Sequence, residues 1–278
     1  MNLIYQKQWF TTVKRINDQE LLAEATVLDT EQEATGQLKV DSSSFEIKDA
    51  VWEVFRSRGG KFNGRQNVTG LKGAVAYFGV GPSMRRELGG IAGGLVRELL
   101  NECVKGIIQS ETFLFRERGF ASLKEYGEYW RKAHASDCRY QSNMFRAARK
   151  WEDYVAGFEH NLNLFNRFKS CMIYKEHNSL IATCGFSDSY HELGISCTLD
   201  VNGYVKECSG SFLRAPDQVC FECAQLPAGL QGNVITDCTT KQFVEIMGGP
   251  QGCDHLVDLT KDLSKIAGAA LDQVNRYG

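Results

Sequence analysis

The sequence predicts an α+β fold in which one domain occurs twice. The chain has 278 residues, 43% of them hydrophobic, which is enough for two domains that each bury a core. The two ends of the chain align with each other, and each aligned segment begins with strand-like alternation and ends with helical periodicity. Strands followed by helices within one segment are typical of the α+β class.

The internal repeat is a gap-free alignment at an offset of 159 positions. The 38 residues that start at Leu71 align with those that start at Leu230 and share eight identities. The same offset pairs Asp29 with Asp188. We therefore interpret the two ends as a first and a second repeat of one domain.

Four strands are expected at the beginning of each repeat. In the first repeat the alternating segments are residues 9–16, 20–29, 34–41 and 45–55. In the second repeat they are two strands within 172–188, then 191–200 and 204–213. The turn Val201-Asn202-Gly203 is a strong hairpin signal, so each repeat should form an antiparallel meander.

A helix is expected to close each repeat. In the second repeat the glycine-rich segment 248–252 interrupts the chain, and apolar residues then recur at helical spacing from Leu256 to Leu271. The resulting division is a domain at 1–109, a helical insert at 110–168 and a cysteine-bearing domain at 169–278. The insert interleaves aromatic and basic residues, which suits either an apolar stripe packed on the domains or stacking on single-stranded nucleic acid.

The charge balance disfavours nucleic acid as a partner. Lys and Arg total 32 against 34 Asp and Glu, a net charge of −2. The first ten residues lack the basic and apolar regions of an export signal, and no apolar run is long enough to span a membrane. We expect a soluble, cytoplasmic protein whose thiols stay reduced.

Ten cysteines are present, and eight of them lie in the second half of the chain. None aligns with a cysteine in the other repeat, so the shared fold does not require them. Five are expected to be small buried apolar residues: Cys103, Cys138, Cys171, Cys197 and Cys208. The pair Cys220 and Cys223 has the two-residue spacing of half a zinc or iron-sulfur site, or of a reactive dithiol.

Cys253 is the strongest single candidate for a functional residue. It stands at the predicted start of the last helix, where the partial positive charge of the helix terminus should lower the thiol pKa. Gly94 occupies its position in the first repeat. His255, two residues on, could be a second ligand, a base toward Cys253 or a packed helical residue.

These residues resemble a known family. The strand Val201 to Cys208, a cysteine at 220, the Leu230-x-Gly232 turn and a cysteine opening the last helix are similar to the N-terminal NifU domain, the IscU-type iron-sulfur scaffold. The ending Gly248 to Leu256 is also similar to a bacterial family of unknown function whose domains close with GG-x-x-GC-T-HL.

The NifU resemblance implies two tandem SufE/NifU-like domains and a non-enzymatic role. The second domain would carry a transient iron-sulfur cluster or zinc, and its partners would be a cysteine desulfurase or a cluster-acceptor protein. The ligands would be Cys220 and Cys253, completed from Cys184, Cys223, Asp188, His191 or His255.

Two further interpretations stay open. A thiol protein would accept persulfide on Cys253, with His255 nearby. Alternatively, the protein would be a structural or interaction module whose cysteines are incidental. The first repeat is expected to be a structural partner, because glycines occupy the loops in which the second repeat carries thiols.

Overall fold

The computed structural model describes residues 1–277 and confirms the α+β class. In this range the chain forms nine β-strands and seven α-helices, with several 3-10 segments between them, the longest of which is Gln218–Leu230. The strands are β1 (Asn2–Asn17), β2 (Glu20–Asp29), β3 (Glu33–Asp41), β4 (Ile47–Arg56), β5 (Gly64–Asn67), β6 (Asn163–Glu176), β7 (Ser179–Asp188), β8 (Glu192–Asp200) and β9 (Val205–Arg214). The helices are α1 (Gly81–Leu88), α2 (Leu95–Ser110), α3 (Leu123–Ala133), α4 (Arg139–Ser142), α5 (Trp151–Val155), α6 (Thr240–Met247) and α7 (Asp254–Tyr277).

The chain divides into two compact units. The N-terminal unit comprises residues 9–126 and 158–168, and the C-terminal unit comprises residues 1–8, 127–157 and 169–278. The segment between the repeats therefore contributes to both units, and it contains the three short helices α3, α4 and α5. No helix within residues 1–277 combines the length and the apolar character that crossing a membrane requires.

The two repeats have the same strand arrangement. The order is β5-β4-β3-β2-β1 in the first repeat and β6-β7-β8-β9 in the second, and the registered pairs are antiparallel. Buried and less buried residues alternate along β2 and β7, as expected for strands with one face in a core. The predicted meanders are therefore present, and the short edge strand β5 is an addition that sequence patterns did not reveal.

Register and irregularities repeat along with the strands. Leu38 pairs with Ala50 in the first repeat, and Cys197 pairs with Cys208 in the second. The β3–β4 and β8–β9 pairs each have two register shifts, and these occur at corresponding places near the two ends of each pair. Such matching shows that the alignment at an offset of 159 follows the backbone, not only the sequence.

The helices of the two repeats are also related by the offset of 159 positions. α1 corresponds to α6, and the start of α2 at Leu95 corresponds to the start of α7 at Asp254. The apolar face predicted for the last helix is confirmed, because five of the apolar residues that recur at helical spacing are at most 2% exposed: Leu256, Leu259, Leu263, Ile266 and Ala270. Each repeat therefore buries one long amphipathic helix against its own unit.

Candidate metal centre

The turn between β7 and β8 is organised by Asp188, the last residue of β7. Its Oδ1 atom accepts hydrogen bonds from the backbone N–H groups of Tyr190 and His191, at 2.8 and 2.7 Å. Arg214, at the end of β9, donates to the carbonyl oxygens of Asp188 and His191 at 2.7 and 3.2 Å. The Asp188 side chain is fully buried, so its carboxylate is held in one orientation.

The first repeat builds the same turn. Asp29 Oδ1 accepts from the backbone N–H groups of Glu31 and Gln32, both at 2.8 Å. Arg56 donates to the carbonyl oxygens of Asp29 and Gln32. The aspartate and the arginine are therefore requirements of the fold. Side chains that differ between the two turns are not required for it.

Two histidines distinguish the turn of the second repeat. His191 Nδ1 lies 3.2 Å from Asp188 Oδ1, and His255 Nε2 lies 4.0 Å from Asp188 Oδ2. The centroids of the two imidazole rings are 4.2 Å apart. At the corresponding positions the first repeat has Gln32 and Val96.

The three side chains are suitably placed to bind one metal ion. One ligand atom from each of Asp188, His191 and His255 lies within 4.8 Å of the other two. The histidine side chains are 13% and 23% exposed, so the cluster is sheltered and still reachable from solvent. Imidazole nitrogens and a carboxylate oxygen are common ligands of Zn²⁺, and three protein ligands leave one tetrahedral position open.

Packing fixes the position of His255. It lies in the first turn of α7, and its ring contacts Phe186 of β7 with centroids 4.9 Å apart. The buried apolar face of α7 fixes the helix on its unit, and this places His255 beside the β7–β8 turn. The backbone N–H groups of Tyr190 and His191 hold the Asp188 carboxylate in one orientation, as outer-shell hydrogen bonds do for the carboxylates of metal sites.

Cys253 lies beside this cluster, and the prediction that its thiol pKa is lowered is wrong. Its Sγ atom lies 3.9 Å from Nδ1 of His255. Burial raises the pKa of the Cys253 thiol well above its usual value, and hydrogen bonds from the backbone of Leu256 and His255 offset this only in part. The helix terminus is present as predicted, but desolvation of the thiolate outweighs it. This burial disfavours Cys253 as an exposed nucleophile.

The other thiols form a second group. Burial raises the pKa of Cys220 to about 12 and that of Cys223 to about 11. The electrostatic interaction with Cys138 also raises the pKa values of Cys220, Cys223 and Cys253. Cys138 therefore lies in the same region of the C-terminal unit as these three thiols. Cys138 was expected to be a buried core residue, yet it is only partly buried. It lies in the segment between the repeats, where no counterpart exists to reveal its role.

The remaining candidate, Cys184, has no free thiol. It forms a disulfide with Cys171, and Cys197 forms another with Cys208. The expectation that all thiols stay reduced is therefore wrong for these four. Burial was predicted for three of these four cysteines, Cys171, Cys197 and Cys208, and all three are buried. Cys197 and Cys208 are able to pair because they lie directly opposite each other on β8 and β9.

Comparison with known proteins gives one family match. Residues 170–268 match a family described as a protein of unknown function, DUF2889. Neither the curated proteins nor the solved structures include a significant match to the chain. The matched segment contains Asp188, His191, Cys253 and His255.

The suspected relation to the NifU scaffold is therefore wrong. The Leu-x-Gly turn that suggested it occurs in both repeats, with Leu71 and Leu230 fully buried and Gly73 and Gly232 at positive φ. These residues are needed for a turn of this fold, because glycine adopts positive φ without a steric cost. The C-terminal segment is similar to a family of unknown function.

Proposed function

We propose that the C-terminal unit binds a divalent transition-metal ion, with Zn²⁺ as the reference ion, through Asp188, His191 and His255. The observation that carries the proposal is the convergence of one ligand atom from each side chain to within 4.8 Å. The first repeat strengthens it, because Asp29 forms the same turn without either histidine. The histidines are therefore additions to a turn that is complete without them.

The chemistry of the ligand set favours a site with an open position. Two neutral imidazoles and one carboxylate compensate one of the two positive charges of the ion. A tetrahedral ion held by three protein ligands has a fourth position for water, a small molecule or a side chain of another protein. This site differs from the cysteine-bound cluster carrier that the sequence suggested, because its ligands are nitrogen and oxygen atoms.

Metal binding by single variants tests the proposal. Chelator-treated protein is titrated with Zn²⁺ by calorimetry, and the bound metal is measured by elemental analysis. We expect His191→Ala and His255→Ala each to weaken binding by at least about tenfold, since even outer-shell changes cost about 10–100-fold. Unchanged Zn²⁺ affinity in both variants would contradict the proposal.

The first repeat supplies a matched control. Gln32 occupies the position of His191, and its Nε2 atom donates to Asp29 Oδ2 at 2.9 Å. Gln32→Ala removes a side chain from the equivalent turn and should leave Zn²⁺ affinity unchanged. An equal loss of affinity in Gln32→Ala and His191→Ala would indicate a general effect on folding.

A further inference from the structure

The insert between the repeats packs against the turn that carries Asp188 and His191. Its helix α5 lies in the C-terminal unit, as the turn does. The Tyr154 hydroxyl of α5 donates to the carbonyl oxygen of Tyr190 at 2.5 Å, and the Trp151 ring meets the Tyr190 ring edge-on, with centroids 4.8 Å apart. Tyr190 is fully buried. One side of the turn is therefore covered by α5.

The corresponding side of the turn in the first repeat faces solvent. Glu31 occupies the position of Tyr190, its side chain is 43% exposed, and its carboxylate pairs with Arg58 at 3.4 Å. The insert lies between the repeats and has no counterpart in the offset alignment. Helix α5 is therefore an addition to the shared fold, as His191 and His255 are.

The hydrogen bond of Tyr154 acts on the peptide group that precedes the proposed ligand His191. The carbonyl oxygen of Tyr190 and the N–H of His191 belong to one planar peptide group. Tyr154 binds the oxygen of this group, and Asp188 Oδ1 accepts from its N–H at 2.7 Å. On the other side of His191, its carbonyl oxygen accepts from the backbone N–H of Asp188 at 2.8 Å. The backbone on both sides of the ligand is therefore held.

Helix α5 is anchored by contacts that do not involve the metal ligands. The backbone N–H of Arg149 donates to Asp217 Oδ2 at 2.9 Å, and its guanidinium donates to the carbonyl oxygen of Pro216 at 2.9 Å. The same guanidinium lies 4.6 Å from the centroid of the Tyr154 ring, in a cation–π contact. The Tyr154 hydroxyl is therefore presented to the turn by a separate support.

We propose that Tyr154 is a positioning residue for His191 and that the insert thereby regulates the metal affinity of the Asp188 site, a role that rests on the function proposed above. While α5 is docked, the ion meets a ligand whose backbone is already ordered. When α5 is undocked, metal binding must order that backbone itself, which lowers affinity. Because coupling between two binding events is reciprocal, a bound ion should also stabilise the docking of α5.

Zinc titration of Tyr154→Phe tests the effect of α5 on the metal. This variant keeps the ring and loses only the hydroxyl, so it should fold, and circular dichroism checks this. Chelator-treated variant should bind Zn²⁺ about tenfold more weakly than the wild type in calorimetry, at the lower end of the effects of outer-shell changes. Trp151→Leu removes the second contact with Tyr190 and should weaken binding in the same direction.

Ser264→Ala is the matched control. Ser264 Oγ donates to the carbonyl oxygen of Ile235 at 2.9 Å, so this variant also loses a bond from a hydroxyl to a backbone carbonyl of the C-terminal unit. The bond involves neither α5 nor the β7–β8 turn, and Zn²⁺ affinity should stay at the wild-type value. Equal losses of affinity in Ser264→Ala and Tyr154→Phe would indicate general destabilisation and would overturn the inference.

Hydrogen exchange tests the effect of the metal on α5, which a merely structural tyrosine would not change. At saturating Zn²⁺, amide exchange in peptides that cover residues 149–157 should slow in the wild type and slow less in Tyr154→Phe, as measured by mass spectrometry. Unchanged Zn²⁺ affinity in Tyr154→Phe, or equal protection of α5 by Zn²⁺ in both proteins, would overturn the inference and leave the Asp188 site in place. Absence of Zn²⁺ binding by the wild type would instead contradict the proposed function, and the inference with it.

Discussion

Cys197 and Cys208 are joined by a disulfide at a cross-strand pair that the first repeat fills with Leu38 and Ala50. The same backbone register therefore accepts either a covalent link or an apolar contact. A disulfide that closes a loop of this kind stabilises a fold by about 2–4 kcal/mol, mainly by restricting the unfolded chain. The two repeats offer a direct way to measure that contribution.

We expect Cys197→Leu/Cys208→Ala, which copies the first repeat, to fold and to lose about 2–4 kcal/mol in its free energy of unfolding. Urea denaturation measures this loss. Thiol titration of the unfolded wild type should find six free thiols among its ten cysteines, because four are in disulfides. A count of ten without reductant would show that neither disulfide forms.

The buried ion pair of Lys169 and Asp262 should be important for the C-terminal unit. Lys169 Nζ and Asp262 Oδ2 are 2.6 Å apart, with side chains 3% and 9% exposed. Asp262→Ala removes this partner of a buried ammonium group and should lower the free energy of unfolding by about 3–5 kcal/mol. Lys169→Met/Asp262→Leu should recover most of the loss in urea denaturation, and a further loss in the double variant would show that the pair is not the cause.

The N-terminal unit should become less stable in alkali because of Cys103. Burial raises the pKa of this thiol far above its usual value, and its Sγ atom contacts the carbonyl oxygen of Gly36 at 3.4 Å. The unfolded chain therefore loses the proton first, near the ordinary thiol pKa of about 8.5, and stability falls as the pH rises above that value.

The measurement compares the wild type with Cys103→Ala in urea between about pH 8 and pH 10. Below the unfolded pKa the two proteins should show the same pH dependence. Above it, the free energy of unfolding of the wild type should fall by about 1.4 kcal/mol per pH unit more than that of the variant. Parallel pH profiles would contradict the assignment to Cys103.

Alkylation should distinguish Cys253 from Cys238. Cys253 is buried and its pKa is raised well above the usual value, whereas Cys238 is only partly buried. We expect iodoacetamide to modify Cys238 at least about tenfold faster near pH 7, since the thiolate is the reactive form. Peptide mapping by mass spectrometry follows both sites, and faster modification of Cys253 would restore the nucleophile interpretation.

Local patterns predicted much of the fold because the responsible interactions are local. Asp29 and Asp188 bind backbone groups two and three residues away, and the hairpin turns lie between adjacent strands. The edge strand β5 was missed because Gly64–Asn67 is short, exposed on all four residues and lacks apolar alternation.

The site was predicted only as a set of candidate residues. Asp188, His191 and His255 were among the candidates, but their grouping depends on α7 returning to the β7–β8 turn, which sequence spacing does not encode. The pKa of Cys253 was predicted in the wrong direction because burial by tertiary packing, not position on the helix, decides it. Arg139, the residue after Cys138, forms hydrogen bonds with Glu222 and Gly252, which are more than 80 positions away. Sequence spacing therefore could not predict that Cys138 lies in the same region as the other thiols.

The aspartate turn that both repeats share has an evolutionary consequence. The backbone of the turn is satisfied by one carboxylate and one arginine, so the position three residues after the aspartate accepts different side chains in the two repeats. A duplicated gene segment of this kind lets one half preserve foldability while the other half samples new side chains at that position. Gln32 and His191 are the two outcomes present in this chain, and the same position is where directed evolution of the N-terminal unit should begin.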